Sequence, residues 1–163
     1  MAANVNPIPE GFHTITPLIV VRNAADAIEF YKKAFGAEEI ERNPGPDGKG
    51  IMHAEVKIGD SILMLCDEFP GCEGWASPAS FEGTTVTLHL YVSDVDAVFK
   101  RAVEEGCSVK MPVMDTFWGD RYGQLADPFG HRWSVASRVK TLTPEQIAQG
   151  AEEFFKNMPE CGK

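Results

Sequence analysis

Residues 16–39, TPLIVVRNAADAIEFYKKAFGAEE, decide the fold, because residues 87–106, TLHLYVSDVDAVFKRAVEEG, repeat their pattern seventy-one positions later. In the first stretch Ile15 to Val21 is a strand-like apolar run. Asn23 can cap a helix by offering its side-chain oxygen to a free first-turn amide, and Gly36 suits a left-handed stop. Between them Ala27, Ile28, Tyr31, Ala34 and Phe35 recur at helical spacing and form one buried stripe. In the second stretch Thr87 to Val92 is the strand and Ser93-Asp94 the cap. Val95, Val98, Phe99, Ala102 and Val103 form the stripe, and Gly106 the stop.

The rest of each copy matches too. Gly59-Asp60 between two strand runs corresponds to Gly130-His131 at the same offset, so Ala54 to Ile58 and Ser61 to Leu65 are expected to match Leu125 to Phe129 and Arg132 to Ala136. Glycine between alternating apolar runs is a hairpin signal, and Asp127-Pro128-Phe129-Gly130 makes the turn explicit. One strand, one helix and three strands cannot cover both faces of their own sheet, so doubling the unit has a physical purpose. The expected fold is α+β: two tandem βαβββ modules forming a curved mixed sheet, a cup with helices outside. Module one is expected at about 12–70 and module two at about 84–138, within one domain spanning 1–163. Thr143, Pro144 and Gln146 open a C-terminal helix expected at about 143–158, with a capping box and an apolar face of Ile147, Ala151, Phe154, Phe155 and Met158.

The 163 residues suit one ordinary domain. Twenty-four acidic against fifteen basic residues give a net charge of −9, which repels a phosphate backbone, so no nucleic-acid partner is expected. No signal peptide or membrane-spanning run is visible, and a cytoplasmic location is expected. Cys66, Cys72, Cys107 and Cys161 match neither a zinc knuckle nor a Cys-x-x-Cys pair and read as reduced thiols, with a Cys66–Cys72 bridge as the alternative.

Together with FWGDRYGQLADPFGHRWSVAS at residues 117–137, the opening stretch resembles the vicinal oxygen chelate superfamily of glyoxalases, bleomycin-resistance proteins and extradiol dioxygenases. The run Phe117 to Gly123 resembles a bacterial glyoxalase-like subgroup of mostly unassigned reaction. The resemblance covers roughly residues 12–138 and implies a cupped sheet that binds a small organic molecule, usually in a homodimer. In many members a divalent metal is chelated in the cup.

The resemblance also implies where that metal's ligands would stand: one on each first strand, seven positions before the helix cap, and one on each last strand. Those positions hold Thr16, Thr87, Leu63 and Ser134. None supplies imidazole or carboxylate, the donors that make such sites strong, so no metal ligand and no cofactor are predicted. A displaced metal site is the disfavoured alternative.

Strand alternation identifies other cup residues. Val86, Leu88, Leu90 and Val92 face the helix, which leaves Thr87, His89 and Tyr91 on the cup face. In Met52-His53-Ala54-Glu55-Val56 the polar residues alternate the same way, so His53 and Glu55 are expected on the cup side with Gln124. His53, Glu55 and His89 are the candidate acid/base groups; the alternative is hydrogen-bonded polar residues on a half-wet sheet. Trp118 and Arg121, in a loop entering a strand, complete the expected lining as an aromatic wall and an anion partner; alternatively Arg121 pairs with Asp120. His13 and His131 are expected to be exposed. Phe69, Trp75 and Phe81, in the loop from Asp67 to Gly83, are expected to form a lid or a dimer contact. These residues support a small-molecule-binding protein. The alternative is an enzyme, a lyase, isomerase or dioxygenase-like protein, acting on a small organic substrate by acid/base chemistry or through a displaced metal site.

Overall fold

The computed structural model describes residues 6–46, 48–69, 71 and 74–157. Module one runs β1 (Leu18–Val21), α1 (Ala24–Phe35), β2 (Glu38–Pro44), β3 (Ile51–Ile58) and β4 (Ser61–Asp67). After a short helix α2 (Pro78–Phe81), module two repeats the order: β5 (Thr87–Tyr91), α3 (Val95–Glu104), β6 (Ser108–Asp115), β7 (Asp120–Ala126) and β8 (Arg132–Arg138). Helix α4 (Pro144–Asn157) follows. Met158 of its expected apolar face, Cys72 and Cys161 lie outside the described residues.

The caps work as the sequence predicts. Asn23 accepts from the Asp26 amide and Asp94 from the Ala97 amide, while Gly36 ends α1 at a φ of 69°. Asn23 is itself left-handed (φ 62°), so a carboxylate from the neighbouring strand completes this end: Asp67 accepts from the Ala24 amide at 2.7 Å. At α4 the Thr143 amide donates to Gln146 Oε1 and the Gln146 amide to Thr143 Oγ1, a reciprocal capping box. The first strand is shorter than expected. Pro17 has no amide to donate, so pairing begins at Leu18, and Thr16 lies outside the strand with its hydroxyl bonded to the His13 carbonyl.

The expected curved sheet is built as two four-stranded sheets, ordered β1-β4-β3-β2 and β5-β8-β7-β6, with the first pair of each parallel and the others antiparallel. The modules meet through α1 and α3. Their apolar stripes and the sheet residues beneath them form one core that draws on both copies, from Val21, Ile28 and Tyr31 to Phe99, Leu125 and Trp133. Rings of Tyr31, Phe35, Phe129 and Trp133 pack where the copies join. The polar groups there are all bonded: Tyr31 Oη and Trp133 Nε1 each donate to Asp127 Oδ2 at 2.8 Å. Burial, and then the Asp127 carboxylate, push the Tyr31 hydroxyl well above its usual pKa. His131, expected in solvent, is buried, and its Nε2 donates to the Val20 carbonyl at 3.0 Å. The turn that carries it folds back onto module one.

The second hairpin corrects the matching of the copies. Val56 pairs with Leu63 across the first turn, but Leu125 pairs with Trp133 across the second, so one more residue separates these partners in the second hairpin. β7 therefore ends at Ala126, and Asp127 to His131 form the turn, with Asp127 Oδ1 accepting from the Phe129 and His131 amides. First strands correspond at an offset of seventy-one but last strands at seventy: Leu18 pairs with Met64 as His89 pairs with Ser134. Because side chains alternate, that single residue moves the match to Ser134 from Leu63 to Met64.

Candidate functional site

Strand pairing places each candidate. On the second sheet Thr87 pairs with Arg132, His89 with Ser134 and Tyr91 with Ala136, while Tyr122 and Gln124 of β7 pair with Ala136 and Ser134. These share the face turned away from the helices; Leu125, Trp133 and Val135 occupy the other, in the core. On the first sheet His53 and Glu55 share the corresponding face with Met64 and Leu18. Leu63 does not. It is 5% exposed and packs with Ala54, Val56 and Leu65 on the core side, reaching only the floor of the cleft between β1 and β5.

The second face is a bonded network of rings. His89 Nδ1 lies 2.7 Å from Ser134 Oγ, which leaves Nε2 free of that bond. The His89 ring stands edge-on to Tyr91 at 4.6 Å and parallel to Tyr122 at 6.0 Å, and Tyr122 meets Trp118 at 5.8 Å. Gln124 Nε2 donates to the Tyr122 hydroxyl at 2.7 Å. Beneath them sits Asp120, only 2% exposed. Its Oδ2 accepts from Tyr91 Oη at 2.9 Å and from Trp118 Nε1 at 3.1 Å, and Arg138 Nε donates to its Oδ1. Burial alone would raise the Asp120 carboxyl, but the bonds from Arg138, Tyr91 and Trp118 outweigh it and hold the group ionised below the usual carboxylate range. Burial pulls the His89 imidazole below its usual pKa, and the Asp120 charge offsets this only partly.

Alternation also explains the run from Phe117 to Gly123. Asp120 and Tyr122 fall on the ring face, Arg121 and Gly123 on the helix face. Arg121 therefore does not reach the cup, nor does it pair with Asp120. It binds Asp96 of α3 through Nε and Nη2, at 2.7 and 2.8 Å, and Asp115 of β6 at 3.0 Å, so its charge is spent on joining helix to sheet. Gly123 is needed because a Cβ there would stand 2.6 Å from a Phe99 ring carbon. Gly119 (φ 97°) is needed because one would stand 2.5 Å from the Lys140 carbonyl.

An open cleft of about 1800 Å³ runs between β1 and β5, lined by Thr16, Leu63, Thr87, His89 and Tyr91 together with Ile15, Val86 and Phe81. His53 and Glu55 stand outside it, paired with each other at 3.1 Å, so within one chain they do not join His89. Of the loop aromatics, Phe69 and Trp75 pack together and Phe81 is exposed at the cleft rim. Glu68 fastens this segment by accepting from Ser77 and Ser80, bonds that hold its pKa down at about 2. His13 is exposed, as expected.

The model of the Glyoxalase/Bleomycin resistance protein/Dioxygenase superfamily matches residues 11–135. The chain belongs to this superfamily. It is 47% identical over 149 residues to an uncharacterized protein of Mycobacterium bovis, covering 90% of this chain and 93% of the relative. Among solved structures, a gene product of Arabidopsis thaliana superposes with a TM-score of 0.60 at 30% identity, covering 77% of this chain and 98% of that one. TnmS3, an antibiotic-binding protein from a Streptomyces species, superposes with a TM-score of 0.57 at 26% identity, covering 77% and 95%.

The superfamily's metal does not fit these residues. With the register corrected, the four inherited positions hold Thr16, Thr87, Met64 and Ser134, which offer hydroxyls and a thioether. Among the described residues no three His, Cys, Asp or Glu side chains are grouped to hold an ion. The sequence reading does not single out Arg138, and it offers Asp120 only as an alternative partner for Arg121. The signal was present: Asp120 is two residues from Tyr122 and four from Gln124, so strand parity puts its carboxylate with their side chains.

Proposed function

We propose that the protein binds a small planar aromatic compound on the ring-lined face of its second module and holds it by stacking, without a metal. The observation that carries this reading is the double anchoring of Tyr91 and Trp118 on one buried carboxylate, Asp120. Rings already fixed lose little side-chain freedom when a ligand arrives, so more of the contact energy becomes affinity. The 26% identity to an antibiotic-binding protein supports binding without turnover. Fluorescence titration with a planar polycyclic antibiotic such as daunorubicin tests it. Saturable binding that weakens at least about tenfold in Tyr91→Ala, a loss of about 1.4 kcal/mol, is the expected result. Equal affinity in that variant, or stoichiometric zinc, manganese, nickel or iron in the purified protein, overturns the reading.

A second reading, an acid/base enzyme, is favoured by one observation: His89 combines a lowered pKa with an Nε2 free of the Ser134 bond, the form in which an imidazole can take a proton. For that reading, His89→Ala abolishes turnover of a substrate found by screening while leaving the fold intact. Retained turnover removes His89 from the mechanism.

The binding unit of this reading is a cytoplasmic homodimer. Among the described residues the outer edges of β1 and β5 pair with no other strand, and Ile15 and Val86 beside them are 86% and 63% exposed, an apolar margin that a second copy would cover. Buried, unbridged Cys66 and Cys107 suit a reducing compartment. Sedimentation equilibrium yielding only monomer at micromolar concentration would sink the dimer.

A further inference from the structure

Helix α4 lies beyond the stretch the superfamily model matches, and its position follows from one glycine. Gly150 sits inside the helix, where glycine is unfavourable by about 1 kcal/mol relative to alanine. Its backbone lies against Phe117, so closely that a Cβ at 150 would stand 2.9 Å from Phe117 Cβ. Around this seat Phe154 meets Phe117 at 5.5 Å and Phe155 meets it at 6.3 Å. None of α4's residues is buried; Phe154 is 38% and Phe155 64% exposed.

Phe117 meets Trp118 edge-on at 4.9 Å, so the α4 rings continue the set that runs through Trp118 and Tyr122 to His89 and Tyr91. The chain of ring contacts is unbroken, and its ends, Tyr91 and Phe155, are both largely exposed. We infer that α4 is the outer wall of the binding face, and that the ligand is a fused aromatic compound of three or more rings whose far end rests on Phe117, Phe154 and Phe155. This rests on the stacking function proposed above. The charge of the face agrees with an uncharged or weakly polar ring system: Arg138 is neutralised by Asp120 and Arg121 is committed to Asp96 and Asp115, which leaves neither guanidinium for an anionic group.

The test titrates the full chain with naphthalene-2-methanol, two rings, and anthracene-2-methanol, three rings. Wild type should bind the three-ring probe at least about tenfold more tightly, the effect of one further buried ring contact of about 1.4 kcal/mol. In F154A/F155A that advantage should disappear while two-ring affinity changes less than about twofold. Gly150→Leu raises helix propensity but drives Phe117 off its seat, so it should lose the same advantage with all rings present. Circular dichroism and sedimentation of each variant accompany the titrations. If wild type binds both probes equally, or the variants keep the advantage, the inference about α4 fails and the stacking function stands. Should wild type bind neither, both fail. If F154A/F155A converts a dimer to a monomer with ring preference intact, α4 covers a second copy instead, and the inference is overturned.

Discussion

The two modules share strand order and helix packing, yet their outer sheet faces carry different chemistry. Where module two has His89, Tyr91, Ser134, Tyr122 and Gln124, the corresponding places in module one hold Leu18, Val20, Met64, His53 and Glu55. The first face is mainly aliphatic, with one His–Glu pair at 3.1 Å; the second is a set of rings tied to a buried carboxylate. Duplication supplied the scaffold twice and the anchored ring network once. The largest test of that contrast is Asp120→Ala, which leaves Tyr91, Trp118 and Arg138 without their acceptor. Arg138 can turn to solvent, its side chain being 56% exposed, so we expect a loss of about 2–3 kcal/mol by denaturant unfolding, together with loss of ring binding. Removing the module-one pair with His53→Ala should change stability by less than about 1 kcal/mol, as for a part-exposed side-chain hydrogen bond. Equal losses would mean that the faces are not energetically distinct.

Next in size is a comparison of backbone space. Gly123 and Ala54 hold matching places, paired with Val135 and Leu65, but only Gly123 has a helix ring pressed against it. Gly123→Ala should cost about 1–3 kcal/mol through displacement of Phe99. Ala54→Gly should cost about 1 kcal/mol, from lost packing and backbone freedom. A neutral Gly123→Ala would show that α3 can shift outward freely, against its contacts with β6 to β8.

Smaller again is Tyr91→Phe. The ring remains but no longer donates to Asp120, so stability should fall by about 1 kcal/mol and ring affinity severalfold. Unchanged affinity would show that Tyr91 acts through its ring alone and that anchoring it contributes nothing.

Much of the scaffold was legible because helix and strand periods are long-range signals carried by many residues: caps at Asn23, Asp94 and Thr143, and stripes such as Ile28-Tyr31-Phe35. The site was less legible because faces depend on single residues. Both hairpins carry a glycine at the same offset, so aligning on glycine matches Leu63 to Ser134 in place of Met64, although Asp127-Pro128 already marks where β7 ends. A strand beginning at Leu125 leaves Arg121 in a loop, free to reach a ligand; with β7 starting at Asp120, parity sends it to the helix side. A turn read in isolation puts His131 in solvent, because it does not reveal that module one packs over it.

The smallest expected effect concerns His89 against its counterpart Leu18. The folded-state pKa of His89 lies below the unfolded value, because burial disfavours the imidazolium more than Asp120 favours it. The unfolded chain therefore binds the proton more readily. The resulting contribution is absent above the unfolded value, near 6.5, and appears as destabilisation while pH falls through that value toward the lower folded one. Replacing His89 with leucine, the residue module one already carries there, should flatten the fall in stability as pH drops below about 6.5 relative to wild type. Urea unfolding across that range checks it, and an unaltered slope would assign the acid sensitivity to other groups. Ring binding gives a second readout. If a ligand hydrogen bond uses the Nε2 lone pair, affinity drops over the same interval in wild type and not in His89→Leu. A pH-independent affinity in wild type would leave His89 as a stacking surface only.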